Sequence, residues 1–166
     1  MMSSSTPEAM IAAVITVSDS CFRGNRTDLS GPAVAEILRK NRFTIVGTVI
    51  VPDDQALIQQ ALLSCVDHAR LIVTTGGTGI APRDVTPEAT RAVCERLLEG
   101  VAEHMRSEGV KNTPLAALSR AVCGVRGKSV ILNLPGSPAG AVQSLESVID
   151  LMPHALQLLD GNTSHD

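Results

Sequence analysis

Residues 70–90 read RLIVTTGGTGIAPRDVTPEAT. An apolar, β-branched run, RLIVTT, enters a loop with glycines at 76, 77 and 79, and the chain then turns helical. Thr86, Pro87 and Glu88 supply a cap, a first-turn proline and a first-turn acid in the order that a helix N-terminus prefers. Ala89, Val93 and Leu97 follow as the expected inner face. A strand feeding a glycine loop and then a helix is the repeating unit of an α/β sheet, and the rest of the chain reads outward from it.

Upstream, IAAVITVS at 11–18 predicts a strand buried on both faces, as in a parallel sheet. PAVAEILRK after it spaces Val34, Ile37 and Leu38 by three and four, with Pro32 in the first turn and Ser30 able to cap. RFTIVGTVIV at 42–51 predicts a second strand ending at Pro52. Asp53 or Asp54 can then cap a helix bearing Leu57, Ile58, Ala61, Leu62, Cys65 and Val66 on one side.

Downstream, a helix is expected over 101–108, ending at Gly109. SRAVCGV and KSVILNL, separated by Arg126-Gly127, have the spacing of a hairpin. The stretch 139–159 carries Val142, Leu145, Val148 and Ile149 at helical spacing, with Pro153 as an interruption or restart. The order predicts one three-layer α/β domain over 10–160, with helices on both faces of a mostly parallel sheet. One antiparallel strand falls in the hairpin near 119–134. Residues 1–9 and 161–166 read as tails, the first disordered.

The chain has 166 residues, 14 Lys and Arg against 17 Asp and Glu, and a formal net charge of −3. Scattered bases, no Trp or Tyr and only Phe22 and Phe43 leave neither the electrostatic footprint nor the stacking rings of a nucleic-acid binder. The Ser-rich opening lacks basic residues and precedes only eight apolar residues (10–17), which fits neither a signal peptide nor a membrane span. Cys21, Cys65, Cys94 and Cys123 form no C-x-x-C pair and read as reduced thiols, so a cytoplasmic location is expected.

In parallel sheets ligands bind beyond the carboxyl ends of the strands. Four loops follow predicted strands there: SDSCFRG, VPDD, TTGGTGIAPRD and NLPGSP. The glycines of TTGGTG free backbone amides to face an anion, with Thr74, Thr75 and Thr78 as added donors, or they simply allow a turn. The dinucleotide pattern G-x-G-x-x-G fails because Pro82 stands where its third glycine belongs. CGVRGKS (123–129) fails as a Walker A loop, since Val122 replaces the first glycine and a strand follows.

Asp84 sits beside the proposed phosphate loop, a repulsive arrangement unless a cation such as Mg²⁺ lies between, or it favours the helix dipole. Asp53 is either a second metal carboxylate or a helix cap. Pro135, Gly136, Ser137 and Pro138 form a turn in which Ser137 caps a helix or meets an anion. Ser18, Asp19 and Ser20 leave the first strand where a base or ribose could be touched. None of the four histidines has a partner at metal-ligand spacing.

Taken together, TVSDSCFRG, DLSG, VPD, TTGGTGIAPRDVTPEAT, SRAVCGVRGK and LNLPGSP, in this order and over 11–160, resemble the molybdopterin adenylyltransferases of molybdenum cofactor biosynthesis (the MoaB/Mog family), including the G domain of gephyrin. The resemblance implies a molybdopterin-binding domain that transfers AMP from Mg-ATP to the terminal phosphate of molybdopterin and releases pyrophosphate. It implies that Thr75, Gly76, Gly77, Thr78 and Gly79 hold nucleotide phosphates and that Asp53 and Asp84 are the essential carboxylates near Mg²⁺. Ser137 would help to hold the pterin, and Asp19 and Ser20 would lie at the nucleotide end. A homotrimer and a separate molybdenum insertase are implied too. The alternative is a non-catalytic carrier or scaffold for molybdopterin or its adenylate.

Overall fold

The computed structural model describes residues 10–163. The expected tail at 1–9 lies outside the described residues, as does the end of the second tail, 164–166. Six strands form one sheet in the order β2-β1-β3-β6-β5-β4. They are β1 (Ile11–Val17), β2 (Thr44–Val51), β3 (Leu71–Thr75), β4 (Arg96–Leu97), β5 (Cys123–Arg126) and β6 (Ser129–Leu134). β2, β1, β3 and β6 are mutually parallel, whereas β5 runs against both β6 and β4. A mostly parallel sheet with one reversed strand is therefore what forms.

The central strands show why their sequences are apolar without a gap. Ala12, Val14, Leu71, Val73, Val130 and Leu132 face one core. The intervening Ala13, Ile15, Val17, Ile72 and Ile131 face a second core on the other side. Side chains alternate along a strand, so a sheet covered on both faces needs apolar residues at every position. The first core is closed by α2 (Ser30–Lys40), α5 (Glu99–Gly109), α6 (Pro138–Val148) and α7 (Met152–Leu159), and the second by α3 (Gln55–Val66) and α4 (Thr86–Val93). A short helix, α1 (Asp19–Phe22), follows β1 directly.

Several helix ends differ from expectation. Ser30 lies inside α2, and Asp28 takes its place at the end by accepting from the Gly31 amide at 3.0 Å. Asp54 caps α3, accepting from Leu57 N at 3.0 Å, which leaves Asp53 free for other contacts. On α3, Ile58 and Leu62 are buried, but Leu57 points to solvent. Thr86 does not cap α4: its hydroxyl donates to the Gly76 carbonyl at 2.9 Å. The helix stops at Val93, so Leu97 belongs to β4, where Glu95 N and Leu98 N bond to the Val125 and Cys123 carbonyls of β5. An open strand edge outcompetes another helical turn.

The hairpin turn falls on Gly127 and Lys128, one residue later than expected, because Arg126 pairs with Ser129 and Gly127 has φ 57°. The last helix breaks at Ile149–Leu151, a short 3-10 segment, and Pro153 sits in the first turn of α7 where no intrahelical N–H is needed. Among the described residues, no helix is long and apolar enough to cross a membrane.

One polar side chain ties the layers together. Asn133 on β6 is 0% exposed; its amide donates to Thr74 Oγ1 (3.0 Å) and Thr90 Oγ1 (2.9 Å), and its oxygen accepts from Val122 N (3.1 Å). Replacing it with leucine strands three buried groups at once. We expect Asn133→Leu to lower stability by about 3 kcal/mol. Urea unfolding should show a reduced midpoint with an unchanged m-value.

Candidate active site

The strands that carry the four loops end level with one another. Thr16 is opposite Thr75, Thr75 opposite Leu134, and Val17 opposite Val51. Their loops are then laced together: Ser18 N donates to Val51 O (2.9 Å), Gly76 N to Leu134 O (3.0 Å) and Thr75 Oγ1 to Pro135 O (2.7 Å). Gly76 has φ 106°, and a Cβ there would be driven into the Val17 carbonyl. Gly77 has φ 70°, and a Cβ on it would collide with the Thr86 hydroxyl and stand 3.1 Å from Asp53 Oδ1. One on Gly79 would stand 2.8 Å from Asp84 Oδ2. The bare backbone of the loop thus runs directly beside both candidate carboxylates.

Asp19 and Asp53 hold each other by reciprocal bonds, Asp19 N to Asp53 Oδ2 and Asp53 N to Asp19 Oδ1, each 3.0 Å. Arg83 reaches across from the glycine loop: its Nε donates to Asp19 Oδ2 (2.6 Å), and its Nη2 to Asp19 Oδ1 and the Asp53 carbonyl (3.0 Å each). Its hydrogen bonds, with the Asp53 amide, hold the Asp19 carboxyl down at about 2. Asp53 moves the other way. Burial raises it first, and the negative charges of Asp19 and Asp84 raise it further. Asp84 is held in place by the Ala81 amide, which donates to its Oδ2 at 3.0 Å.

Two cavities open at this edge. One, of about 380 Å³, is polar and lined by Thr16, Ser18, Asp28, Ser30 and Asp53 along the outer wall. The other, of about 500 Å³, has an apolar side made by Met105, Leu115, Ala116, Leu118 and Ala121. Gly77, Asp84, Gly136 and Ser137 line both. A small polar wall with one carboxylate therefore separates a polar hollow from an apolar one.

The expected residues are distributed across this arrangement. Ser18, Asp53, Thr75, Gly76 and Pro138 line the polar cavity, and Thr78, Gly79 and Pro135 the apolar one. Asp19 and Ser20 line neither cavity; Ser20 Oγ lies 3.2 Å from Ser18 Oγ, and Asp19 bonds to Asp53. Two expectations need correction. The Thr75 hydroxyl already donates to Pro135, and the Thr74 hydroxyl is buried on Asn133, so neither is a free donor for a ligand. Ser137 does cap α6, accepting from Gly140 N at 3.1 Å, yet its own hydroxyl proton stays available to the shared wall. Arg83 and Arg120 hold the loop but were not among the expected residues; only the adjacency of Arg83 to Asp84 hinted at the first.

Comparison with known proteins agrees with this architecture. Residues 13–154 match the family described as "Probable molybdopterin binding domain". The molybdenum cofactor synthesis protein cinnamon of Drosophila melanogaster is 40% identical over 161 residues, 95% of this chain, although the chain spans only 27% of that protein. A molybdopterin adenylyltransferase of Helicobacter pylori is 42% identical over 153 residues, covering 90% of this chain and 87% of the relative. The crystal structure of the molybdopterin biosynthesis enzyme MoaB from Thermus thermophilus superposes with a TM-score of 0.86 at 49% identity, covering 92% of this chain and 97% of that one. The chain belongs to the molybdopterin-binding domain family.

The raised Asp53 carboxyl has a thermodynamic signature. A carboxyl that holds its proton more tightly when folded weakens the fold as pH rises through its unfolded value, about 3.9 for aspartate, and on to its folded value. Asp53→Asn keeps an acceptor for the Asp19 amide and removes the charge. Its thermal midpoint should exceed that of the wild type at pH 7, with the gain vanishing below about pH 4. Equal midpoints across the whole range would mean that Asp53 is not electrostatically strained.

Proposed function

We propose that the chain is a molybdopterin adenylyltransferase, a nucleotidyltransferase of molybdenum cofactor biosynthesis that moves AMP from ATP to the terminal phosphate of molybdopterin. The observation that carries this reading is the wall shared by the two cavities, formed by Gly77, Asp84, Gly136 and Ser137. ATP would occupy the polar cavity with its phosphates along the amides of Gly77–Gly79, the Gly76 N–H being bonded to the Leu134 carbonyl, and the pterin the apolar one. The two reacting phosphates then meet at the wall. One oxygen of the molybdopterin phosphate forms a bond to the α-phosphorus, the bond from that phosphorus to the bridging oxygen breaks, and pyrophosphate leaves with both electrons.

The donor set suits a divalent cation. Among the described residues no cluster of three or more His, Cys, Asp or Glu side chains that could hold a metal ion is formed, so the reading takes Asp53 and Asp84 alone as the protein's ligands. Magnesium takes one or two protein carboxylates and completes its shell with phosphate and water oxygens. The like charges that raise Asp53 also favour a cation beside it. Asp53 and Asp84 would hold Mg²⁺, which supplies neutralisation of phosphate charge. The chain's own groups do the rest: glycine-loop amides orient the phosphates, Ser137 can donate to the acceptor, and Arg83 holds Asp19 and the Asp53 backbone. The reading includes a cytoplasmic homotrimer and a separate insertase for molybdenum.

The test is to supply molybdopterin, ATP and Mg²⁺ and follow pyrophosphate together with adenylylated product. Stoichiometric release supports the enzyme; binding of both substrates without product moves the protein to the carrier class. Asp84→Asn preserves an acceptor for Ala81 N, so it should fold normally while kcat falls by at least about 10²-fold. Undiminished turnover in that variant removes Asp84 from the reacting centre.

A further inference from the structure

The segment 78–84 lies within the connection from β3 to α4 and carries Asp84 at its far end. Its neck is closed by Thr86, whose N–H and hydroxyl donate to the Gly77 and Gly76 carbonyls at 3.1 and 2.9 Å. Within the loop, Asp84 and Ala81 exchange two bonds, Asp84 N to Ala81 O (2.9 Å) and Ala81 N to Asp84 Oδ2 (3.0 Å). Neither set fixes the Gly79 end of the loop relative to the Asp84 end.

One residue from elsewhere in the chain does. The backbone N–H of Arg120 donates to Thr78 O at 2.8 Å. Its Nε donates to Gly79 O and its Nη2 to Asp84 O, each at 2.8 Å, while Nη1 pairs with the Glu88 carboxylate in the first turn of α4. Nε and Nη2 belong to one rigid planar fork, so the fork sets the separation of the two carbonyls it holds. Arg120 is itself anchored. Ala121 O receives Arg106 Nη1 (3.0 Å), and Val122 is bonded through its N–H and its carbonyl to Asn133 of β6. The side chain lines neither of the two cavities at the shared wall.

We propose that Arg120 is a positioning residue: by clamping the Gly79 and Asp84 carbonyls it sets where the Asp84 carboxylate stands relative to the glycine-loop amides. The inference rests on the adenylyl-transfer reading for its effect on rate, and on geometry alone for its effect on the loop. A ligand-facing carboxylate misplaced by about 1 Å is enough to slow a reaction about 10²-fold. Lysine retains the charge but concentrates its donors at one point, so it cannot span two carbonyls and a carboxylate together.

Arg120→Lys should therefore lower kcat about 10²-fold while the KM for ATP stays within about threefold, since the carbonyls of 76 and 77 are held independently by Thr86. In the ligand-free protein, amide hydrogen exchange at 79–84 should quicken by at least about tenfold, with β1, β3 and β6 unchanged. Unchanged kcat overturns the proposal, as does a loss of kcat with unaltered exchange at 79–84, or faster exchange spread through the sheet. Should the variant not fold, the wild type decides: protection in the free protein of the Arg120 amide, which donates to Thr78 O, supports the clamp, and its exchange at the rate of an open chain overturns it. A wild type that binds ATP but releases no pyrophosphate removes the proposed reaction, whereas the exchange measurement still judges the clamp separately.

Discussion

The backbone at Gly76 passes so close to the Val17 carbonyl that no side chain fits, and its N–H is bonded to the Leu134 carbonyl at 3.0 Å. This one close approach joins the exits of β1, β3 and β6. Because those strands end in register, three loops of different length and composition start from the same level and are drawn into one rim. The positive φ at Gly76 and Gly77 is the local consequence, and the Thr86 hydroxyl bond to Gly76 O is the means by which α4 follows the loop back to the sheet. The cores on the two faces make the sheet rigid; the rim makes that rigidity useful at a particular place.

Charge at the rim is unevenly compensated. Asp19 has Arg83 and the Asp53 amide, which hold its carboxyl far below the ordinary range. Asp28 is occupied structurally, accepting from the Thr16 hydroxyl (2.7 Å) and from Gly31 N (3.0 Å). Asp53 accepts a hydrogen bond but is half-buried beside two like charges, and Asp84 has one backbone amide. Thus the two carboxylates that border the glycine loop accept from backbone amides and not from a cationic side chain. A fold selected for stability alone would place a base there or remove an acid. Keeping both leaves a local excess of negative charge that a bound cation relieves, which is the usual conflict between stability and function at a ligand site.

The sequence displayed the sheet clearly because strands covered on both faces must be apolar throughout, and IAAVITV and LIVTT are. It also displayed the loop, although glycines clustered after a strand suit a tight turn as well as an anion cradle. What it concealed depended on distant partners. Asp53 and Asp54 are equivalent as caps by local rules, and only the fold, by presenting the Asp19 amide to Asp53, separates their tasks. Thr86 has the right type and position to cap α4 but finds a carbonyl of the loop instead. β4 is two residues long and exists because β5 offers an open edge. Arg83 and Arg120 sit in segments without periodicity, and their partners lie 64 and 41 residues away in the chain, as in the bonds to Asp19 and Gly79. Three of the six bonds their side chains make go to backbone carbonyls, which no residue pattern marks.

The composition of the rim also constrains the type of chemistry that the proposed reaction would use. Among the described residues lining the two cavities there is no histidine, and Cys21 is the one thiol. Adenylyl transfer between phosphates needs neither a general base nor a protein nucleophile. A phosphate monoester, whose second pKa is about 6, is already largely ionised at neutral pH, and pyrophosphate leaves as an anion. The barrier then lies in bringing two polyanions together in line and stabilising the charge that develops. Amides, hydroxyls, a cation held by two carboxylates and a loop of fixed shape are sufficient for that task. On that reading the last requirement gives a task to the two arginines at this rim that grip the protein's own carbonyls and carboxylates: a site that works by alignment depends on whatever keeps its loop in register with the sheet.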